Sequence, residues 1–242
     1  MNRTVSATVK PERASVWEDF IDIFYAPSAV FARRATGSFW VPLVVVTLAM
    51  GVLLYLLSGV LQPVFDAEFD RGMAVAMERN PRLTPEAVDR FRRMAGIFGQ
   101  VAGFLFVPLA IVCTGAALWV IGKLFEAKQT FRAALVVAAY SFVPKIVEIV
   151  VHGVEGLMLD PEQLNGRFRL SLGIGRFLNP DTTSPLLLAV VGRIDLFTIW
   201  VTVLLVIGLS VTGGISRARG FMAAPIIWAA GAIPLILQAA RQ

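Results

Sequence analysis

Five long apolar stretches, at residues 40–61, 97–121, 131–154, 196–212 and 221–237, constrain this chain more than any other feature. A helix rises about 1.5 Å per residue, so about 20 apolar residues cover the roughly 30 Å hydrocarbon core of a bilayer. The composition agrees. The chain is 57% hydrophobic and 16% charged, with a mean hydropathy of +0.72, whereas soluble domains run near 45–50% apolar and about 25% charged. Five spans and their connections use nearly all of the 242 residues. The expected fold is therefore an all-α membrane protein: an N-terminal segment over 1–39 with an amphipathic helix, then one five-span domain over 40–238 with two extramembrane insertions.

The first residues, MNRTVSATVKPERASVWEDF, carry charges throughout and lack a continuous apolar core, so they do not read as a cleavable signal peptide. Between 16 and 35, apolar Val16, Phe20, Ile23, Phe24, Val30 and Phe31 alternate at helical spacing with Glu18, Asp19, Asp22, Arg33 and Arg34. This pattern predicts an interfacial helix interrupted near Pro27, with Arg33 and Arg34 at the lipid headgroups. A partner-binding surface is a compatible reading of the same segment. The net charge of +5 comes from basic residues at span ends, which suits anionic lipid rather than nucleic acid. Placing the N-terminus and the basic turns at 122–132 and 213–220 in the cytoplasm puts ten basic against five acidic residues inside, and eleven against ten outside. Short Lys- and Arg-rich loops stay on the cytoplasmic side, so the expectation is N-terminus inside and C-terminus outside.

Residues 62–95 hold six acidic and six basic side chains. Thr84 as N-cap and Pro85 at the first helical position mark a helix start, and a short helical hairpin on the membrane surface is expected. Gly99 and Gly103 form a GxxxG, a spacing that lets two helix backbones approach closely, either within the bundle or in a dimer. The segment 155–193 is polar and punctuated by proline. Its apolar piece 185–192 is too short to cross and reads as re-entrant or interfacial.

The third span carries the densest polar chemistry. Ser141, Lys145, Glu148 and His152 follow at spacings of four, three and four, which places them on one helical stripe interrupted by Pro144. Lys145 and Glu148 can neutralise one another, or the stripe can serve an ion or proton relay. Tyr140 and Trp200 lie inside spans, where O–H and N–H groups seek partners on neighbouring helices. Arg193 and Asp195, two residues apart, do not share a helical face and are expected to meet different partners. A single histidine and the single Cys113 make neither a metal site nor a disulfide, and no cofactor is expected. HExxH, GxSxG and GxxxxGK[ST] are all lacking, so an enzyme is the least favoured class.

The run IFYAPSAVF at 23–31, the stretch from Gly122 through TFRAAL to Tyr140-Ser-Phe-Val-Pro144, and Asp195-Leu-Phe-Thr-Ile-Trp200 with Gly208 together resemble the Yip1 family, especially its bacterial members. The resemblance covers about 18–212 and implies a five-span domain with a cytoplasmic N-terminal segment. The motif at Asp22, Tyr25 and Pro27 is similar to the DLYGP element of eukaryotic relatives, which are associated with membrane traffic and Rab-class GTPases. It has one extra residue, and alanine stands where glycine is usual. The reading favoured is a non-enzymatic membrane protein that organises membrane or recruits a membrane-protein partner or a second copy. Asp22, Tyr25 and Pro27 would shape its docking surface, and the polar residues of the third span would fix its packing. The alternative is a transporter, or the membrane subunit of a transport complex, for an ion, small solute or lipid.

Overall fold

The computed structural model describes residues 15–239; the first fourteen residues of the N-terminal segment lie outside that range. The described residues fold into eleven α-helices: α1 Val16–Asp22, α2 Pro27–Arg34, α3 Trp40–Leu56, α4 Ser58–Arg79, α5 Pro85–Leu124, α6 Phe131–Ser141, α7 Val143–Met158, α8 Pro185–Val191, α9 Leu196–Gly213, α10 Arg217–Ala230 and α11 Ile233–Ala239. Four helical units, α5, α6–α7, α9 and α10–α11, are long and apolar enough to cross a membrane, and the bent pair α3–α4 makes a fifth. This is an all-α membrane protein.

Several span boundaries differ from the hydropathy reading, each for a backbone reason. The first span ends at Leu56 rather than residue 61, and the chain turns through 83° into α4. Ser58 and Gly59 sit at the bend, the Ser58 hydroxyl donates to the Tyr55 carbonyl at 2.7 Å, and Pro63 removes an amide from the first turns of α4. The helical hairpin expected over 62–95 is present as α4 and the start of α5, closed by the 80–84 turn, but its second arm is not a separate helix. Thr84 caps a single 40-residue helix that runs on through the second span, a length of about 60 Å. The third span is interrupted at Phe142, where Pro144 lacks the amide that would bond the Tyr140 carbonyl. The fifth breaks at Gly231 and Ala232.

Helix α6 is the centre of the bundle. All but its first two residues are buried, enclosed by α2, α3, α5 and α9. Helices α3 and α7 run in the same direction, since Val45 shares a surface pocket with Val143 and Ile146 while, past the end of α3 and further along α7, Leu57 packs over Gly153 and Val60 of α4 over Gly156. At the end where α6 starts, the two basic turns meet: the Lys128 amide donates to the Gly213 carbonyl at 2.9 Å, and Arg219 pairs with Glu126 at 3.0 Å. Buried Gln129 ties this end together, donating to the Leu118 carbonyl at 3.1 Å and accepting from the Thr212 hydroxyl at 3.0 Å. At the other end, 155–193 forms single helical turns and α8, which packs on α11.

Candidate functional site

The N-terminal segment folds inward instead of lying flat. Ser15 opens α1 with a reciprocal cap, its hydroxyl accepting from the Trp17 amide at 3.3 Å and its amide donating to Glu18 at 3.0 Å. The turn after Asp22 lets α2 start at Pro27, whose fixed φ and missing amide suit the first helical position. The two short helices form a hairpin that buries Ile23, Val30 and Phe31 completely. Asp19 lies one helical turn before Ile23 and therefore shares that inward face.

Asp19 is 0% exposed. Its carboxylate accepts from Arg33 Nε at 2.6 Å, from Arg34 Nε, and from the Tyr140 hydroxyl of α6 at 3.1 Å. Asp22 accepts from Arg33 Nη2 and from the Tyr25 hydroxyl. The Tyr25 hydrogen bond, followed by that of Arg33, holds the Asp22 carboxyl below its ordinary value. Two carboxylates and two guanidiniums thus make a cluster of no net charge, which is how charge is tolerated away from water. Arg33 and Arg34 do not reach outward to headgroups as the helical pattern suggested, because the nearest buried carboxylate is on their own hairpin. Asp19 was not singled out in the sequence. Its only signal was its place on the apolar face of α1.

Aromatic rings complete the seat. Phe20 lies 5.5 Å from Tyr140, and Phe24 meets Trp200 of α9 edge-on at 5.3 Å. Trp17, Ile21 and Tyr25 are 65%, 65% and 71% exposed, with Trp17 6.0 Å from Phe20 at the mouth of an apolar pocket lined also by Val45 and Val143. Among the three motif residues, Pro27 starts α2, Asp22 serves the cluster, and Tyr25 keeps an exposed ring on a hydroxyl tied to Asp22.

The third-span stripe divides into separate contacts. Tyr140 belongs to the N-terminal cluster, and Ser141 is buried with no hydrogen-bond partner among the described residues. Lys145 and Glu148 form an ion pair at 2.6 Å, and His152 Nε2 is buried without a partner among the described residues. Beyond it, Glu155 pairs with Arg176 of the 155–193 segment at 3.1 Å. Asp195 caps α9, accepting from the amides of Phe197 at 2.9 Å and Thr198 at 3.2 Å, while its second oxygen accepts from the Ser171 hydroxyl at 2.9 Å. Arg193 turns elsewhere, to the Gly231 carbonyl at 2.8 Å and the face of Trp228 at 5.6 Å. The GxxxG also splits. Gly103 packs against Gly51 of α3, whereas no heavy atom lies within 4 Å of a Cβ at Gly99. Among the described residues no three His, Cys, Asp or Glu side chains gather to hold a metal.

The chain is 25% identical over 227 residues to the membrane protein YknW of Bacillus subtilis (strain 168), an alignment covering 92% of this chain and 87% of that one. No solved structure matches the chain. The Yip1 domain model matches residues 21–238, from the end of α1 to α11. The second arm of the N-terminal hairpin and the membrane helices on which it sits thus fall together in one family domain, and the chain belongs to the Yip1 family.

Proposed function

We propose that this protein is a non-enzymatic member of the family that organises membrane or recruits a partner through the outward edge of its N-terminal hairpin. One observation carries the reading. The hairpin is locked to α6 through the Asp19 cluster, yet it leaves Trp17, Ile21 and Tyr25 exposed. A surface whose backbone is already held loses less conformational freedom on docking. We place the protein in the cytoplasmic membrane of a bacterium, with the N-terminus and both basic turns inside and the C-terminus outside. The charge bias of the loops and the likeness to a Bacillus subtilis membrane protein support that placement.

Proteins that co-purify with the native chain from its own membranes in mild detergent are expected to be lost from a Trp17→Ala, Tyr25→Ala variant. The chain should still fold, at a cost of about 1 kcal/mol, because the variant gives up the Tyr25–Asp22 hydrogen bond while Asp19 keeps both arginines. Identical partner sets for both forms would reject the docking edge. For orientation, Cys113→Ser chains carrying one new cysteine at Arg217 or Phe177 are treated with an impermeant maleimide on intact cells. Labelling at 177 and not at 217 is expected, and the reverse would invert the topology.

A further inference from the structure

Between α5, the α6–α7 junction, α9 and the broken fifth span lies a cavity of about 320 Å³. Its walls are mostly apolar, with Leu118, Leu205 and Ile227 among them, but Lys145 and Arg193 also line it. Along α5 it extends from Ala110 to Ile121, roughly 16 Å at 1.5 Å per residue. Arg193 is held in place from two sides. Its Nη1 donates to the Gly231 carbonyl left at the break in the fifth span, and the Trp228 indole donates to the Arg193 carbonyl at 3.2 Å. Its Nε–H is buried with no acceptor among the described residues, where it forms no ion pair. Lys145 has one carboxylate, Glu148, for three ammonium donors.

A half-buried guanidinium whose buried Nε–H lacks an acceptor beside an apolar cavity is incomplete by itself, since buried donors are normally satisfied. The acceptor that best matches two cations with one carboxylate between them is an anion, and the apolar walls match a hydrocarbon chain. We propose that this cavity binds one anionic phospholipid from the bilayer, with its phosphate on Arg193 and Lys145 and an acyl chain along α5 and α9. A zwitterionic lipid fits the same walls, but its own ammonium offsets the anion that Arg193 needs. Inorganic phosphate fits the cations and leaves the walls uncovered. The site is separate from the N-terminal hairpin and does not depend on the docking edge.

The test uses the full chain in detergent, with dioleoyl phosphatidylglycerol, dioleoyl phosphatidylcholine or sodium phosphate added, read by native mass spectrometry and by melting midpoint. One phosphatidylglycerol should bind per chain and raise the midpoint. Phosphatidylcholine should bind about tenfold or more weakly, because its choline cation is repelled by the two cations that hold the phosphate. Arg193→Gln should weaken phosphatidylglycerol by a similar factor. Ala117→Trp, which fills the cavity and keeps both cations, should abolish the bound lipid. Equal binding of the two lipids to the wild-type chain overturns the proposal without any variant being needed. Full phosphatidylglycerol binding by a folded Ala117→Trp chain overturns it too, as does displacement of the lipid by phosphate.

Discussion

Replacing Asp19 with alanine is expected to destabilise the protein by about 3–5 kcal/mol, the usual cost of removing one partner from a buried ion cluster. The carboxylate has no exposure to solvent and satisfies two guanidiniums and a phenol at once. Without it, the net charge of the cluster rises by one and Tyr140, 1% exposed, loses its acceptor. The hairpin should then open more often, because the carboxylate that ties α1 to both arginines and to α6 is gone and only the apolar contacts of Ile23, Val30 and Phe31 still hold it. Tyr140→Phe removes only one hydrogen bond and should cost about 1 kcal/mol, since Asp19 keeps both arginines. Melting in detergent gives the order of the two variants, and brief trypsin treatment reports detachment through cleavage after Arg33 and Arg34. If Asp19→Ala melts and resists trypsin like the wild type, apolar contacts alone hold the hairpin and the cluster is incidental.

The membrane class and the number of spans were legible because apolar run length is a local property of the chain, and five runs can be counted without knowing how they pack. The breaks were not. Hydropathy is blind to the 83° turn after Leu56, which depends on the Ser58-Gly59 pair and Pro63, and to the fusion of the surface helix at Pro85 with the second span. The N-terminal motif was visible, but its centre was not, because Asp19 and Tyr140 are 121 residues apart and nothing in one sequence says that they meet. The helical pattern gave Arg33 and Arg34 the default of charged residues in lipid, which is to reach for the interface. A carboxylate at hydrogen-bond distance overrides that default. Lys145 and Glu148 were easier to pair, being three residues apart on one helix.

Glycines show the same limit, and they carry the second large effect. Gly208→Val is expected to destabilise the bundle by about 1–3 kcal/mol or more, while Gly99→Leu leaves the monomer's melting midpoint unchanged. A Cβ at Gly208 would overlap the side chain of Val137, and α6, buried on nearly every side, has little room to retreat. At Gly99 the space is open. In lipid there is no hydrophobic drive to hold two helices together once their surfaces stop fitting, so a lost close approach is not recovered by simple burial. The GxxxG spacing singled out Gly99 and Gly103, but what decides the packing is the helix opposite. Gly103 faces Gly51, and Gly208 faces the centre of the bundle although no GxxxG contains it. The two variants are compared with wild type by melting in detergent and by size-exclusion chromatography. A Gly208→Val chain as stable as the wild type would mean that α6 and α9 are not in close contact in the membrane. A shift of Gly99→Leu from dimer to monomer, with its midpoint retained, would instead assign the open face of α5 to a second copy of the chain.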